Sequence, residues 1–87
     1  MYFLYILKSF KKENWHYIGI TADLNKRLKQ HNQGKTKSTK AYRPFELVYC
    51  EEYITKILAR KREIELKTNN KKRELLLTQI LAPSSNG

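Results

Sequence analysis

The sequence predicts an α+β domain in which a three-stranded antiparallel sheet is flanked by helices, in the order β-β-α-β-α-α. Three observations predict it. Two β-branched and aromatic runs, residues 2–8 and 15–20, are separated only by the polar stretch "SFKKEN", the pattern of a hairpin. A third such run, "FELVYCEEY" at 45–53, follows a helical segment, and residues 54–82 are helical in composition throughout. No internal repeat is found, so one domain is expected over residues 1–82, with "PSSNG" at 83–87 as a tail lacking apolar content.

The first strand, Tyr2 to Lys8, is long-chained, apolar and aromatic. The second, Trp15 to Ile20, carries Gly19 in "HYIGIT", and a lone glycine weakens a strand. Such a glycine marks either another group close to the backbone or a bulge beside a packed core tyrosine. "TADLNKRLKQHNQG" reads as a helix over 23–32, with Thr21 as candidate cap, Asp23 in the first turn and Gly34 as the stop. "KTKSTKAYRP" is basic, hydroxyl-rich and aperiodic, and Pro44 prevents its continuation as helix, so an exposed loop is expected with room for one helical turn. The third strand alternates imperfectly, and Cys50 within it reads as a small buried residue. Asn69 and Asn70 supply a break and an N-cap between the two closing helices.

The charge balance narrows the partner class. Eighteen Lys and Arg against eight acids give a net charge of +10 on 87 residues, which attracts polyanions, with nucleic acid first among them. No lipidation motif and no apolar run of transmembrane length argues for a membrane. One cysteine excludes an internal disulfide, and "MYFLYILKSF" lacks the basic region and cleavage site of a signal peptide. A cytoplasmic monomer is expected.

Two sets of side chains then stand out. In a hairpin with an even pairing sum Tyr5 and Tyr17 share a face. Along the first helix, with Leu24 at zero, Leu28 falls near about +40°, His31 near about −20° and Arg27 near about −60°, while Asn25, Lys26, Lys29 and Gln30 lie opposite. Arg27 and His31 therefore border the buried stripe, as members of an ion pair or of an anion site. An arginine suits the second, because its planar fork matches phosphate oxygens. Lys35, Lys37, Lys40 and Arg43 in the basic loop, and Lys71, Lys72 and Arg73 at the last helix start, are candidate nucleic-acid-binding residues making sequence-blind phosphate contacts.

The ordered blocks "FLYIL", "YIGIT", "DLNKRLKQHNQG", "RPFELVY" and "ARKREIELK" together resemble the GIY-YIG nuclease superfamily. They are most similar to its small stand-alone (UPF0213-like) proteins, themselves similar to the N-terminal nuclease domain of the bacterial excinuclease. The resemblance covers about residues 2 to 80. It implies a metal-dependent DNA endonuclease whose site residues are Tyr5, Tyr17, Arg27, His31 and Glu63. The second motif is intact, whereas Phe3 and Leu4 replace the glycine and isoleucine of the first.

In that reading Glu63 binds one Mg²⁺ or Mn²⁺, Tyr17 takes the proton of the attacking water with nearby cations easing its ionisation, and Arg27 holds the charge on the phosphate. Tyr5 positions water or phosphate, and His31 either orients Tyr5 or donates to the phosphate. The helical wheel does not separate Glu63, which groups with Ala59 and Leu66, from Glu65, which groups with Ile54 and Leu58. A plain i,i+4 pair of Glu63 with Lys67 is the structural alternative. The substrate is expected to be DNA, with RNA as the other polymer to consider, and specificity for structure, as in repair or recombination, would come from a protein partner. The alternative is a nucleic-acid-binding module of the same fold with little or no turnover.

Overall fold

The computed structural model describes residues 1–81, so the tail expected at 83–87 lies outside the described residues. The order is β1 (Tyr2–Ser9), β2 (His16–Thr21), α1 (Leu24–Asn32), a single 3₁₀ turn (Lys40–Tyr42), β3 (Phe45–Tyr53), α2 (Lys56–Thr68) and α3 (Asn70–Leu81). The strands form one antiparallel sheet in the order β2-β1-β3. β1 is central because it alone is apolar on both faces.

One face buries Leu4, Ile6 and Ile18 against Leu66 of α2, with Leu76, Leu77 and Ile80 of α3 completing the layer. Complete burial of side chains such as Leu4, Ile6 and Leu66 contributes on the order of 1.5–3 kcal/mol each. The other face buries Tyr5, Leu7 and Phe45 beneath Leu24 and Leu28 of α1, with Trp15 stacked on Tyr42 at 4.2 Å. The molecule is thus three layers, with α1 on one side of the sheet and α2 and α3 on the other.

Several local outcomes refine or differ from the sequence reading. β2 runs His16–Thr21, not 15–20, because the Trp15 amide bonds to Lys12 in the loop while Thr21 pairs with Phe3. Asp23, not Thr21, caps α1: the Thr21 hydroxyl accepts the Asp23 amide, and the Asp23 carboxylate accepts the Lys26 amide at 3.0 Å. A bulge in β3 sets Ile6 opposite Tyr49 but Leu7 opposite Leu47, so the extra residue, Val48, reverses which face the odd positions occupy. That explains the broken alternation: Phe45 and Leu47 face α1, whereas Tyr49, Glu51 and Tyr53 face α2. Cys50 is exposed rather than buried, because it lies on an edge strand at a place α1 does not cover. Asn69 does close α2 and, through its side chain, caps α3 by accepting the Lys72 amide.

Candidate active site

The hairpin register builds the floor of the site. Tyr5 lies opposite Gly19 and Leu7 opposite Tyr17, so the odd residues of both strands share the α1 face. The Tyr5 and Tyr17 ring centroids are 6.1 Å apart. Gly19 now has a reason: a Cβ there would stand 2.7 Å from the Tyr5 hydroxyl and 2.9 Å from Cε2 of Tyr17. The glycine lets both rings lie flat against the β2 backbone, which is the close-approach reading and not the bulge.

α1 delivers Arg27 and His31 to the same place. Arg27 Nε donates to the Tyr5 hydroxyl oxygen at 3.2 Å, and the Tyr5 hydroxyl and His31 Nε2 are 2.9 Å apart. His31 is fully buried, enclosed by the rings of Tyr5, Tyr17 and Phe45 at 5.9, 5.0 and 5.9 Å. Its other nitrogen, Nδ1, lies 2.8 Å from the Thr39 hydroxyl, which donates to the Thr36 carbonyl at 3.4 Å. A single directed chain satisfies every group: Arg27 N–H to Tyr5 oxygen, Tyr5 O–H to His31 Nε2, His31 Nδ1–H to Thr39, and Thr39 O–H to Thr36. In this arrangement Tyr5 keeps a lone pair, and its hydroxyl direction is fixed from behind. His31 is thus enclosed and bonded to Tyr5 on one side and Thr39 on the other, with no ring nitrogen open to a phosphate.

Thr39 was not foreseen. It lies in the loop expected to be exposed, yet it is fully buried, because its hydroxyl finds partners on both sides. Nothing in "KTKSTKAY" distinguishes it from Thr36 or Ser38.

The charge states follow from burial and contact. Burial pushes the Tyr5 phenol up to about 12 against the opposing bond from Arg27, so it remains a neutral phenol near neutral pH. Burial, then the Arg27 charge, lowers His31 to about 4, so the imidazole is neutral. The bond to Tyr5 raises Arg27 further, and its Nη1 donates to Gln30 at 3.2 Å. Among the described residues no carboxylate pairs with Arg27. Of the two readings of that arginine the ion pair is therefore removed, and a permanent cation beside two phenols is left facing outward.

Glu63 reaches the site from α2. It lies on the buried face with Ala59 and Leu66, and its charge is felt at Tyr5. Glu65 sits instead on the exposed side, paired with Arg62 at 2.7 Å and Lys72 at 2.6 Å. The Glu63 carboxylate accepts from Lys67 at 3.0 Å and lies 3.7 Å from Arg60, and the Lys67 ammonium stands 5.6 Å over the Tyr17 ring. Among the described residues no three His, Cys, Asp or Glu side chains cluster as a metal cage. A lone carboxylate beside the phenols fits a hard divalent ion that draws its remaining ligands from water and phosphate.

The expected binding residues divide. Lys35, Lys37, Lys40 and Arg43 are exposed along the loop anchored by Thr39, and Lys71 is exposed at the start of α3. Lys72 is tied to Glu65, and Arg73 turns inward, half-buried, beside Asn70. No helix among the described residues is long and apolar enough to cross a membrane.

With this geometry in hand, residues 1–75 match the GIY-YIG catalytic domain family. A UPF0213 protein of Staphylococcus epidermidis is 44% identical over 79 residues, covering 90% of this chain and 94% of that protein. The UPF0213 protein YazA of Bacillus subtilis is 42% identical over 80 residues, covering 90% of this chain and 79% of its own. The solution NMR structure of the UPF0213 protein BH0048 from Bacillus halodurans superposes with a TM-score of 0.58 at 33% identity, covering 98% of this chain and 90% of that one.

Proposed function

This chain belongs to the GIY-YIG catalytic domain family, and from that premise we propose that it is a divalent-metal-dependent endonuclease hydrolysing DNA phosphodiester bonds. The observation that carries the proposal is the meeting of Tyr5, Tyr17 and a carboxylate-free Arg27 on the α1 side of the sheet, with a neutral histidine holding the buried Tyr5 hydroxyl.

Phosphodiester hydrolysis needs a proton acceptor for the attacking water, a cation for the charge that grows on the phosphate, and a means of placing both. Arg27 offers its outer guanidinium nitrogens to the phosphate. Tyr17, which is only half-buried, takes the water's proton. Tyr5 aims its free lone pair at the water, and His31 and Thr39 fix that aim. Glu63 would hold one Mg²⁺ or Mn²⁺, which when bound neutralises phosphate charge. The lysines of the 35–43 loop would hold the backbone of the DNA on either side.

A second reading, a nucleic-acid-binding module with little turnover, draws on the Lys67 and Arg60 pairs that engage Glu63 in the structure. Cleavage of labelled single-stranded, duplex, flap and four-way-junction DNA with Mg²⁺ or Mn²⁺ separates the two. Cutting by the wild type, with Tyr17→Phe and Glu63→Ala binding DNA but not cutting it, supports the nuclease. Binding without metal-dependent cutting by the wild type leaves the binding module. The preferred substrate would indicate whether branched DNA of repair or recombination is the target.

A further inference from the structure

A cleft of about 340 Å³ opens on the β2 edge, between that strand and the start of α3. Asn14, His16, Tyr17, Lys67, Arg73 and Glu74 are among the residues that line it. The cleft therefore borders the residue proposed to take the water's proton, and Lys67 of its lining stands over that residue's ring. The volume lies at the low end of the range for small-molecule clefts.

Its chemistry is of two kinds. The guanidinium of Arg73 and the ammonium of Lys67 make one part cationic. Asn14, His16 and Glu74 add hydrogen-bonding groups to the same lining. The buried Nε2 of His16 has no hydrogen-bond partner among the described residues, which is uncommon for a buried ring nitrogen. Glu74 would repel a second phosphate, but a carboxylate accepts well from the exocyclic amine of a base.

We propose that this cleft is a nucleotide subsite: it takes the nucleotide adjoining the scissile phosphate on the substrate strand, with that nucleotide's phosphate between Arg73 and Lys67 and its base edge against Asn14, His16 and Glu74. The assignment of the strand rests on the reading of the neighbouring site as one that cuts DNA. A phosphate that engages Lys67 also weakens the Lys67–Glu63 pair and frees the carboxylate beside Tyr17.

Trp15 is the chain's single tryptophan and lines the cleft, so its emission reports occupancy without any cutting. The experiment titrates full-length protein, in EDTA, with 5′-deoxynucleoside monophosphates and in parallel with inorganic phosphate. The expected result is a saturable change in Trp15 emission with nucleotides at concentrations where phosphate alone has little effect. Arg73→Ala should weaken it about tenfold, the loss of one charge-assisted contact, and the His16 ring resonances should shift on binding in the wild type. Equal responses to phosphate and nucleotide would overturn the subsite in favour of a plain anion site. Unchanged nucleotide affinity in both Arg73→Ala and Asn14→Ala would also overturn it. The two readings fail separately: nucleotide binding by a protein that cuts no DNA keeps the subsite and removes the nuclease. DNA cutting with no nucleotide response, and a KM unmoved by Arg73→Ala, does the reverse.

Discussion

Acidification tests the buried imidazole directly. Burial, and then the Arg27 charge, hold His31 at about 4 against an ordinary 6.5. As pH falls below 6.5 the unfolded chain takes up a proton on this ring while the folded chain does not until about 4. The resulting stability is complete above pH 6.5 and is lost as pH falls toward the folded value. At about 1.4 kcal/mol per pH unit, the loss reaches about 2 kcal/mol at pH 5 and about 3 kcal/mol at pH 4. A chain of 87 residues has about 4–13 kcal/mol in total, so Tm should fall by roughly 10 °C between pH 7 and pH 5. The carboxylates do not confuse this window. Although burial opposes it, bonds from Arg62, Tyr49 and Tyr53 hold Glu51 below the ordinary carboxylate range, and Lys72 and Arg62 do the same for Glu65. His16 is also lowered, by burial and by the Lys8 charge, so the comparison is made in His16→Gln to leave His31 as the one histidine. Urea unfolding from pH 7.5 to 5.0 gives the free energies, and the NMR titration of the His31 ring gives its pKa. An unfolding free energy that stays flat from pH 7 to pH 5, or a folded ring titrating near 6.5, would refute the buried neutral imidazole and with it the directed chain through Tyr5.

Three further perturbations probe the site. Gly19→Ala places a methyl 2.7 Å from the Tyr5 hydroxyl, so it should cost about 1–3 kcal/mol in urea unfolding and abolish DNA cutting. Wild-type stability and cutting together would mean that the rings do not lie on that glycine. Thr39→Val leaves the fully buried His31 without its Nδ1 partner and should cost about 1–3 kcal/mol, with most of the loss recovered in Thr39→Ser. Equal stability of the Val and Ser variants would remove Thr39 from the chain. Glu63→Gln exchanges ion pairs with two well-exposed cations for neutral contacts, so stability should move by less than about 1 kcal/mol. The rise in Tm with millimolar Mg²⁺ expected of the wild type should vanish in this variant, and an undiminished rise would place the ion elsewhere.

How far the sequence disclosed this site depends on whether each decision was local. Strand periodicity puts Tyr5 and Tyr17 on one face only for an even pairing sum, which the register of β1 and β2 supplies, whereas the 3.6-residue repeat suffices to lean Arg27 and His31 toward them. The cap of α1 was misread because Thr21 and Asp23 are both good caps, and only the backbone bend decides which hydroxyl or carboxylate meets the free amides. The exposure of Cys50 and the facing of Glu51 were beyond reach, since both follow from a one-residue bulge at Val48 that is set by pairing with β1. Thr39 was hidden for a different reason: its partner His31 is supplied by tertiary contact, and a threonine in a lysine-rich loop has no local mark of burial.

Glu63 was ambiguous on the helical wheel because α2 has two half-apolar sides, and the choice between them is made on the face of the sheet away from Tyr5 and Tyr17. There Glu51 accepts from Tyr49, from Tyr53 at 2.5 Å, and from Arg62 Nε and Nη2 at 3.0 and 3.1 Å. This two-toothed contact pins the middle turn of α2 to β3, and the small Ala59 lets the helix approach closely. Once Arg62 faces Glu51, its neighbour Glu63 must point about 100° further round the helix, toward the β2 edge where Tyr17 and Lys67 stand. Ile54 and Leu58, which offered the competing apolar side, are left 76% and 44% exposed. The carboxylate that would serve the DNA-facing side is thus aimed by an ion pair on the opposite side. Cutting should therefore be sensitive to Glu51 and Arg62, although both act on the face of the sheet away from Tyr5 and Tyr17.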